Sequence, residues 1–181
     1  MILTFDELPK LRGSVSMVDG AFDPLHAGHV EYFRAAAALG RPLLCNVASD
    51  RYVRTKHPPL LPDWQRALVI DALRDIAYTH VNEHDTEAVL EQLRPYAYVK
   101  GKDWEGRLPP QQVEICGRHG IRICFLDTVR DSSTRLLRAY AEGMQDRQYA
   151  QGMQDRQVGD GLQAVPNVQG VPNQSGEVHR K

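Results

Sequence analysis

The sequence predicts an α/β fold: a doubly wound parallel sheet of about five strands with helices on both faces. Three observations predict it. Apolar runs of strand length, such as PLLCNVAS, read as buried strands. Between them lie stretches whose apolar residues recur at helical spacing. Strand and helix keep alternating along the chain, the order that parallel strands with crossover helices require.

SVSMVD (14–19) is the first expected strand. HVEYFRAAAALG follows, with Val30, Phe33 and Ala37 at helical spacing and a stop at Gly40, a fitting helix end. PLLCNVAS (42–49) is the second strand, and a helix is expected from Pro62 to about Asp75, with Trp64, Ala67, Leu68 and Leu73 available for burial. Trp64 reads as a core residue. AYTHV supplies the third strand, followed by a helix from about Thr86 to Leu93. The strand YAYVK (96–100), a helix near Gln111–Arg118 and the strand IRICFL (121–126) come next. A last helix opens around Ser132–Ser133. In such sheets ligands bind beyond the carboxyl ends of the strands, near the point where strand order reverses.

The character of the chain changes after about Glu142. GMQDRQ occurs twice, at 143–148 and 152–157, and VPN twice, at 165–167 and 171–173. From 158 onward large apolar residues are few, and burial cannot offset the entropy of ordering, so this reads as a flexible tail. The expected organisation is one domain over 1–142 and a low-complexity tail over 143–181. The 181 residues carry a formal charge of -1, with 42% hydrophobic and 25% charged residues. That balance gives no bulk attraction to nucleic acid or to an anionic membrane, so any phosphate-binding surface must be local. Cys45, Cys116 and Cys124 form no CxxC pair and leave no complete disulfide framework. The N-terminal MILTFDELPKLRG lacks the apolar stretch of a signal peptide, and no apolar run approaches the roughly 20 residues of a membrane span. A cytoplasmic location is expected.

The segment that carries chemistry is DGAFDPLHAGHVEYF, residues 19–33. A glycine-containing turn leaves a strand, and His26 and His29 bracket Gly28 where a helix should begin. A helix N-terminus offers unpaired N–H groups and partial positive charge, a seat for phosphate. Gly28 would let the backbone approach a ligand closely. The two histidines, three apart, share a helical face and can both donate to phosphate oxygens. A zinc pair lacks a third and fourth ligand at recognisable spacing. A dinucleotide-binding turn lacks its GxGxxG. His57, His80, His84, His119 and His179 read as structural or solvent-exposed.

GAFDPLHAGH resembles the signature of the HxGH nucleotidyltransferase superfamily, which includes cytidylyltransferases and pantetheine-phosphate adenylyltransferase. The leader ILTFDEL, LHAGHVEYF, ASD (48–50), PDWQRALVIDAL, HDTEAVLEQLRP, YVKGKDW and SST are similar to the adenylyltransferase domain of bacterial ADP-heptose synthesis. GKDWEG (101–106) also resembles glycerol-3-phosphate cytidylyltransferase. The resemblance covers roughly residues 2–140 and implies a Rossmann-like sheet of the nucleotidyltransferase type. The activity it implies is transfer of NMP from an NTP, ATP ahead of CTP, to a sugar phosphate with release of pyrophosphate. CTP-dependent transfer to glycerol 3-phosphate or another polyol phosphate is the alternative, and a non-catalytic nucleotide-binding scaffold is a third reading. Mg²⁺, bound mainly through the NTP phosphates, is the implied cofactor. Relatives are commonly dimeric, which implies a homodimer.

Residue by residue, the resemblance makes His26, His29 and Lys56 the catalytic phosphate-stabilising groups. Gly20, Ala21, Phe22, Asp23 and Gly28 belong to the turn that reaches the α-phosphate, Asp23 holding it together. Gly101, Asp103 and Trp104 match the segment beside the nucleoside, and the Trp104 ring is suited to stacking. Ser132, Ser133 and Thr134 match a run that contacts the triphosphate and would also cap the last helix. Arg66 matches an arginine that binds phosphate or the acceptor. Three departures stand out. Asp19 replaces the usual asparagine before the motif glycine, Lys102 replaces a second glycine, and Arg130 is offset within DTVRDSST.

Overall fold

The computed structural model describes residues 1–127. The expected domain boundary, the tail, the last helix and Ser132, Ser133 and Thr134 lie outside the described residues.

Six parallel strands form one sheet: β1 (Ile2–Leu3), β2 (Ser16–Gly20), β3 (Leu43–Ala48), β4 (Tyr78–Asn82), β5 (Ala97–Gly101) and β6 (Arg122–Leu126). Their order is β1-β4-β3-β2-β5-β6. From β2 the chain moves outward through β3 to β4, then returns to β2's other side with β5 and continues to β6. The order therefore reverses between β2 and β5, which pair in parallel from Ser16 against Ala97 to Val18 against Val99.

Among the described residues the α-helices are α1 (Ala27–Ala37), α2 (Asp50–Val53), α3 (Asp63–Asp71), α4 (Thr86–Leu93) and α5 (Pro110–His119). Side chains on a strand point alternately to its two faces. Val18 accordingly joins Phe33, Ala36, Ala67 and Ile70 in the core under α1 and α3. Val15 and Met17 join Leu8, Leu90, Leu93 and Ile115 in the core under α4 and α5. Two local devices fix α4 and α5. Asp85 caps α4 by accepting the Ala88 N–H at 2.6 Å. Gly120, at φ +65°, ends α5 in the left-handed conformation that glycine adopts without cost.

The structure departs from the sequence expectation at several points. A sixth strand, β1, pairs with β4 through Ile2 and Leu3. The four-residue α2 is additional. Trp64 and Leu68, expected in the core, are 60% and 57% exposed, because α3 turns its Ala67–Ile70 side to the sheet. Among the described residues no helix is long and apolar enough to cross a membrane.

Candidate active site

A cleft of about 160 Å³ opens at the carboxyl ends of β2 and β5, where the strand order reverses. The turn after β2 supplies Asp19, Gly20, Ala21 and Phe22. The first turns of α1 supply His29 and Tyr32. The end of β5 and the short turn beyond it supply Lys100, Gly101, Asp103 and Trp104.

The shape of the turn depends on Phe22 and Gly20. Phe22 holds a left-handed backbone (φ 51°), uncommon for a residue with a side chain. Its buried ring folds back beneath Gly20, so a Cβ at position 20 would lie 2.9 Å from a ring carbon. Glycine is needed there for space. The same ring meets Phe33 edge-on at 5.0 Å and His29 edge-on at 5.1 Å between centroids. One aromatic side chain thereby couples the core, the turn and the imidazole.

His29 accepts the His26 backbone N–H on Nδ1 at 3.4 Å. The two imidazole rings stack, with centroids 3.8 Å apart. Burial, and secondarily the neighbouring His26, pushes the His29 pKa down to about 3. The ring is therefore neutral near pH 7. With Nδ1 accepting, its single proton belongs on Nε2, which makes Nε2–H the group able to donate to a ligand. Of the two motif histidines, His29 lines the cleft, and His26 lies stacked against it.

This pKa has a consequence for stability. Unfolded, His29 returns toward 6.5 and binds more protons than the folded state between about 3 and 6.5. Stability contributed by the neutral ring is therefore present above 6.5 and lost as pH falls through that window. Burial lowers His80 as well, with the same sign. The urea midpoint should fall between about pH 7 and about pH 4, and His29→Asn should reduce the pH dependence without abolishing it.

Asp23 is buried, and its carboxylate accepts the N–H groups of Leu60 at 2.7 Å and Leu61 at 3.1 Å. It ties the motif turn to the segment that leads into α3. Arg66 answers from α3. Its Nη1 donates to the carbonyls of Ala21 at 2.6 Å and Ala48 at 2.9 Å. Its Nε donates to Leu61 O at 2.9 Å, and its Nη2 pairs with Asp50 at 2.8 Å. The side chain is 1% exposed. Arg66, expected to bind phosphate or the acceptor, here braces the ends of β2 and β3 from within and does not line the cleft. Its position at the start of α3 aims it inward rather than into the cleft.

Lys56 lies apart from these residues. It is exposed, follows α2, and its Nζ lies 4.7 Å from the centre of the Tyr52 ring. It does not line the cleft. Gly28 is buried in the first turn of α1. Gly20, Ala21, Phe22, His29, Gly101, Asp103 and Trp104, all expected from the sequence, surround one cleft.

Sequence reasoning gave no role to Tyr32 and Lys100. Tyr32 follows His29 by one helical turn, and its hydroxyl donates to Val99 O at 2.6 Å, bridging α1 to β5. Lys100, a charged residue in an otherwise buried strand, was the available signal for the second. Asp19, noted as a departure, does not present a bare charge to phosphates, because Lys100 pairs with it at 2.7 Å. Lys102 is exposed and pairs with Asp127 at 2.9 Å.

The family model described as cytidylyltransferase-like matches residues 17–137. The bifunctional protein HldE of Geobacter metallireducens is 34% identical over 145 residues, which is 75% of this chain and 30% of that protein. HldE of Streptomyces coelicolor is 38% identical over 138 residues, 73% of this chain and 29% of that protein. The chain thus spans about 30% of the length of these relatives. The FAD synthase of Halomicrobium mukohataei is 38% identical over 88 residues, 48% of this chain and 62% of that protein. Among solved structures, the lipopolysaccharide core biosynthesis protein of Thermoplasma volcanium superposes with a TM-score of 0.54 at 21% identity, covering 63% of this chain and 96% of that one. That likeness bears on the fold alone.

Proposed function

From the premise that the chain belongs to the cytidylyltransferase-like family, we propose that it transfers NMP from an NTP to a small phosphorylated acceptor and releases pyrophosphate. The observation that carries this reading is His29: a neutral imidazole, its Nδ1 engaged, beside the glycine turn at the N-terminus of α1. The acceptor phosphate oxygen attacks the α-phosphorus in line. A phosphate dianion is already nucleophilic near pH 7, so the chain need supply no general base. Its contribution is to position the phosphates and neutralise charge that grows in the transition state. His29 Nε2–H and the first amides of α1 are suited to that task.

Magnesium fits this site as an ion carried by the nucleotide. Among the described residues no group of three His, Cys, Asp or Glu could hold a metal. Of the two carboxylates that line the cleft, Asp19 is engaged by Lys100, which leaves Asp103 able to touch a phosphate-bound ion. The ion would offset charge on the triphosphate.

ATP and a sugar phosphate are the substrates we favour, on the breadth of similarity to HldE and on a relative named for a product that contains adenine. Pyrophosphate release should be followed with the four NTPs, Mg²⁺ and a panel of phosphorylated sugars and polyols. Turnover should be fastest with ATP and a sugar phosphate. Faster turnover with CTP and glycerol 3-phosphate would transfer the assignment to polyol phosphates. Failure to bind any nucleotide would remove the reading altogether.

A further inference from the structure

Asp19 and Lys100 face each other across the strand reversal, one on β2 and one on β5. Lys100 Nζ donates to Asp19 Oδ1 at 2.7 Å, and the two side chains are 8% and 13% exposed. Both residues line the cleft. Nζ also lies 4.1 Å from the centre of the Trp104 ring. Asp19 Oδ2 accepts the hydroxyl of Tyr98 at 3.1 Å and that of Thr86 at 3.3 Å.

This pair carries no net charge, so it offers phosphate little long-range attraction. It keeps local hydrogen-bonding capacity. An ammonium has three N–H donors and a carboxylate about four acceptor sites. One donor goes to Asp19, and the ammonium lies 4.1 Å from the centre of the Trp104 ring and 5.5 Å from that of Tyr98. Oδ1 accepts from Lys100 and retains a second lone pair. A donor and an acceptor therefore stand side by side on the cleft wall, held by Tyr98, Thr86 and Trp104. Two neighbouring hydroxyls, each able to give and to take a proton, complement that arrangement. A lysine without the carboxylate would favour an anion instead.

We propose that the Asp19–Lys100 pair is a specificity-determining element that reads neighbouring hydroxyls of the substrate rather than its phosphate. The proposal rests on the nucleotidyltransferase reading of the cleft. Both an NTP ribose and a sugar or polyol acceptor carry such hydroxyls, and the test separates them.

Binding to the full chain with Mg²⁺ should be measured calorimetrically in two arms. The ribose arm compares ATP with 2′,3′-dideoxy-ATP. The acceptor arm compares glycerol 3-phosphate with propyl phosphate, and glucose 6-phosphate with cyclohexylmethyl phosphate. Each comparison removes hydroxyls and keeps the phosphate. The wild-type protein should prefer the hydroxyl-bearing member by at least about tenfold in one arm, the scale of a single hydrogen bond made or lost. Asp19→Asn and Lys100→Met should each reduce that preference. The double variant D19N/K100M leaves no unpaired buried charge and so guards against misfolding. It should lose the preference, read within the variant as the ratio of the two dissociation constants in the arm where wild type discriminates. In a Trp64→Phe background, Trp104 emission should respond to the hydroxyl-bearing ligand and not to its counterpart. A preference that persists in the double variant, or a wild type with no preference in either arm, overturns the proposal. A wild type that binds no nucleotide overturns both this proposal and the reading beneath it.

Discussion

His29→Ala is expected to lower the rate of pyrophosphate release by about 10²–10³, the loss seen when one preorganised donor to a developing oxyanion is removed. The geometry makes the loss hard to compensate. His26 stacks against His29 rather than lining the cleft, and Lys56 stands outside it. The imidazole is fixed by the edge of Phe22 and by the His26 N–H, so its orientation is set before substrate arrives. The decrease should appear in kcat more than in KM, because the donor matters most as charge builds on the phosphate. Circular dichroism should show an unchanged fold. Near-full activity in such a folded variant would refute the assignment.

Arg66→Ala is expected to have the largest effect on stability, about 3–5 kcal/mol, measurable as a drop in the urea midpoint. The substitution strips partners from the carbonyls of Ala21, Ala48 and Leu61 and leaves Asp50 without its guanidinium. Each orphaned carbonyl is costly to bury, and the partly exposed Asp50 loses its ion-pair partner as well. Lys56→Ala, at an exposed position, should change stability by less than about 0.5 kcal/mol. If Arg66 were instead a ligand-binding residue, its removal would reduce activity and leave the midpoint in place.

The alternation of strands and helices was legible because buried parallel strands must be apolar. PLLCNVAS and IRICFL announce themselves. β1 was not legible, since two residues carry no period, and its pairing with β4 depends on a contact about 77 positions away along the chain. The inward side of α3 was misread for a different reason. Trp64 and Leu68 form one apolar stripe and Ala67 and Ile70 another, and helical spacing alone does not say which stripe meets the sheet.

Within the site, the contiguous part was readable because GAFDPLHAGH packs its turn, its glycines and His29 into one stretch. Arg66 was not. Its neutral partners are backbone carbonyls, which every residue has and which leave no trace in a sequence. The pairing of Asp19 with Lys100, 81 positions apart, became visible only once β2 and β5 lay side by side.

The seat of Phe22 beneath Gly20 means that the motif is not portable. Grafting residues 19–29 onto another strand–helix junction would leave behind Phe33, which supports the ring, and Arg66, which grips the Ala21 carbonyl from a helix far along the chain. The transplanted loop would relax out of its left-handed bend and release the imidazole. Redesign of this protein for new substrates should therefore leave that scaffold untouched and vary the opposite wall, at the end of β5.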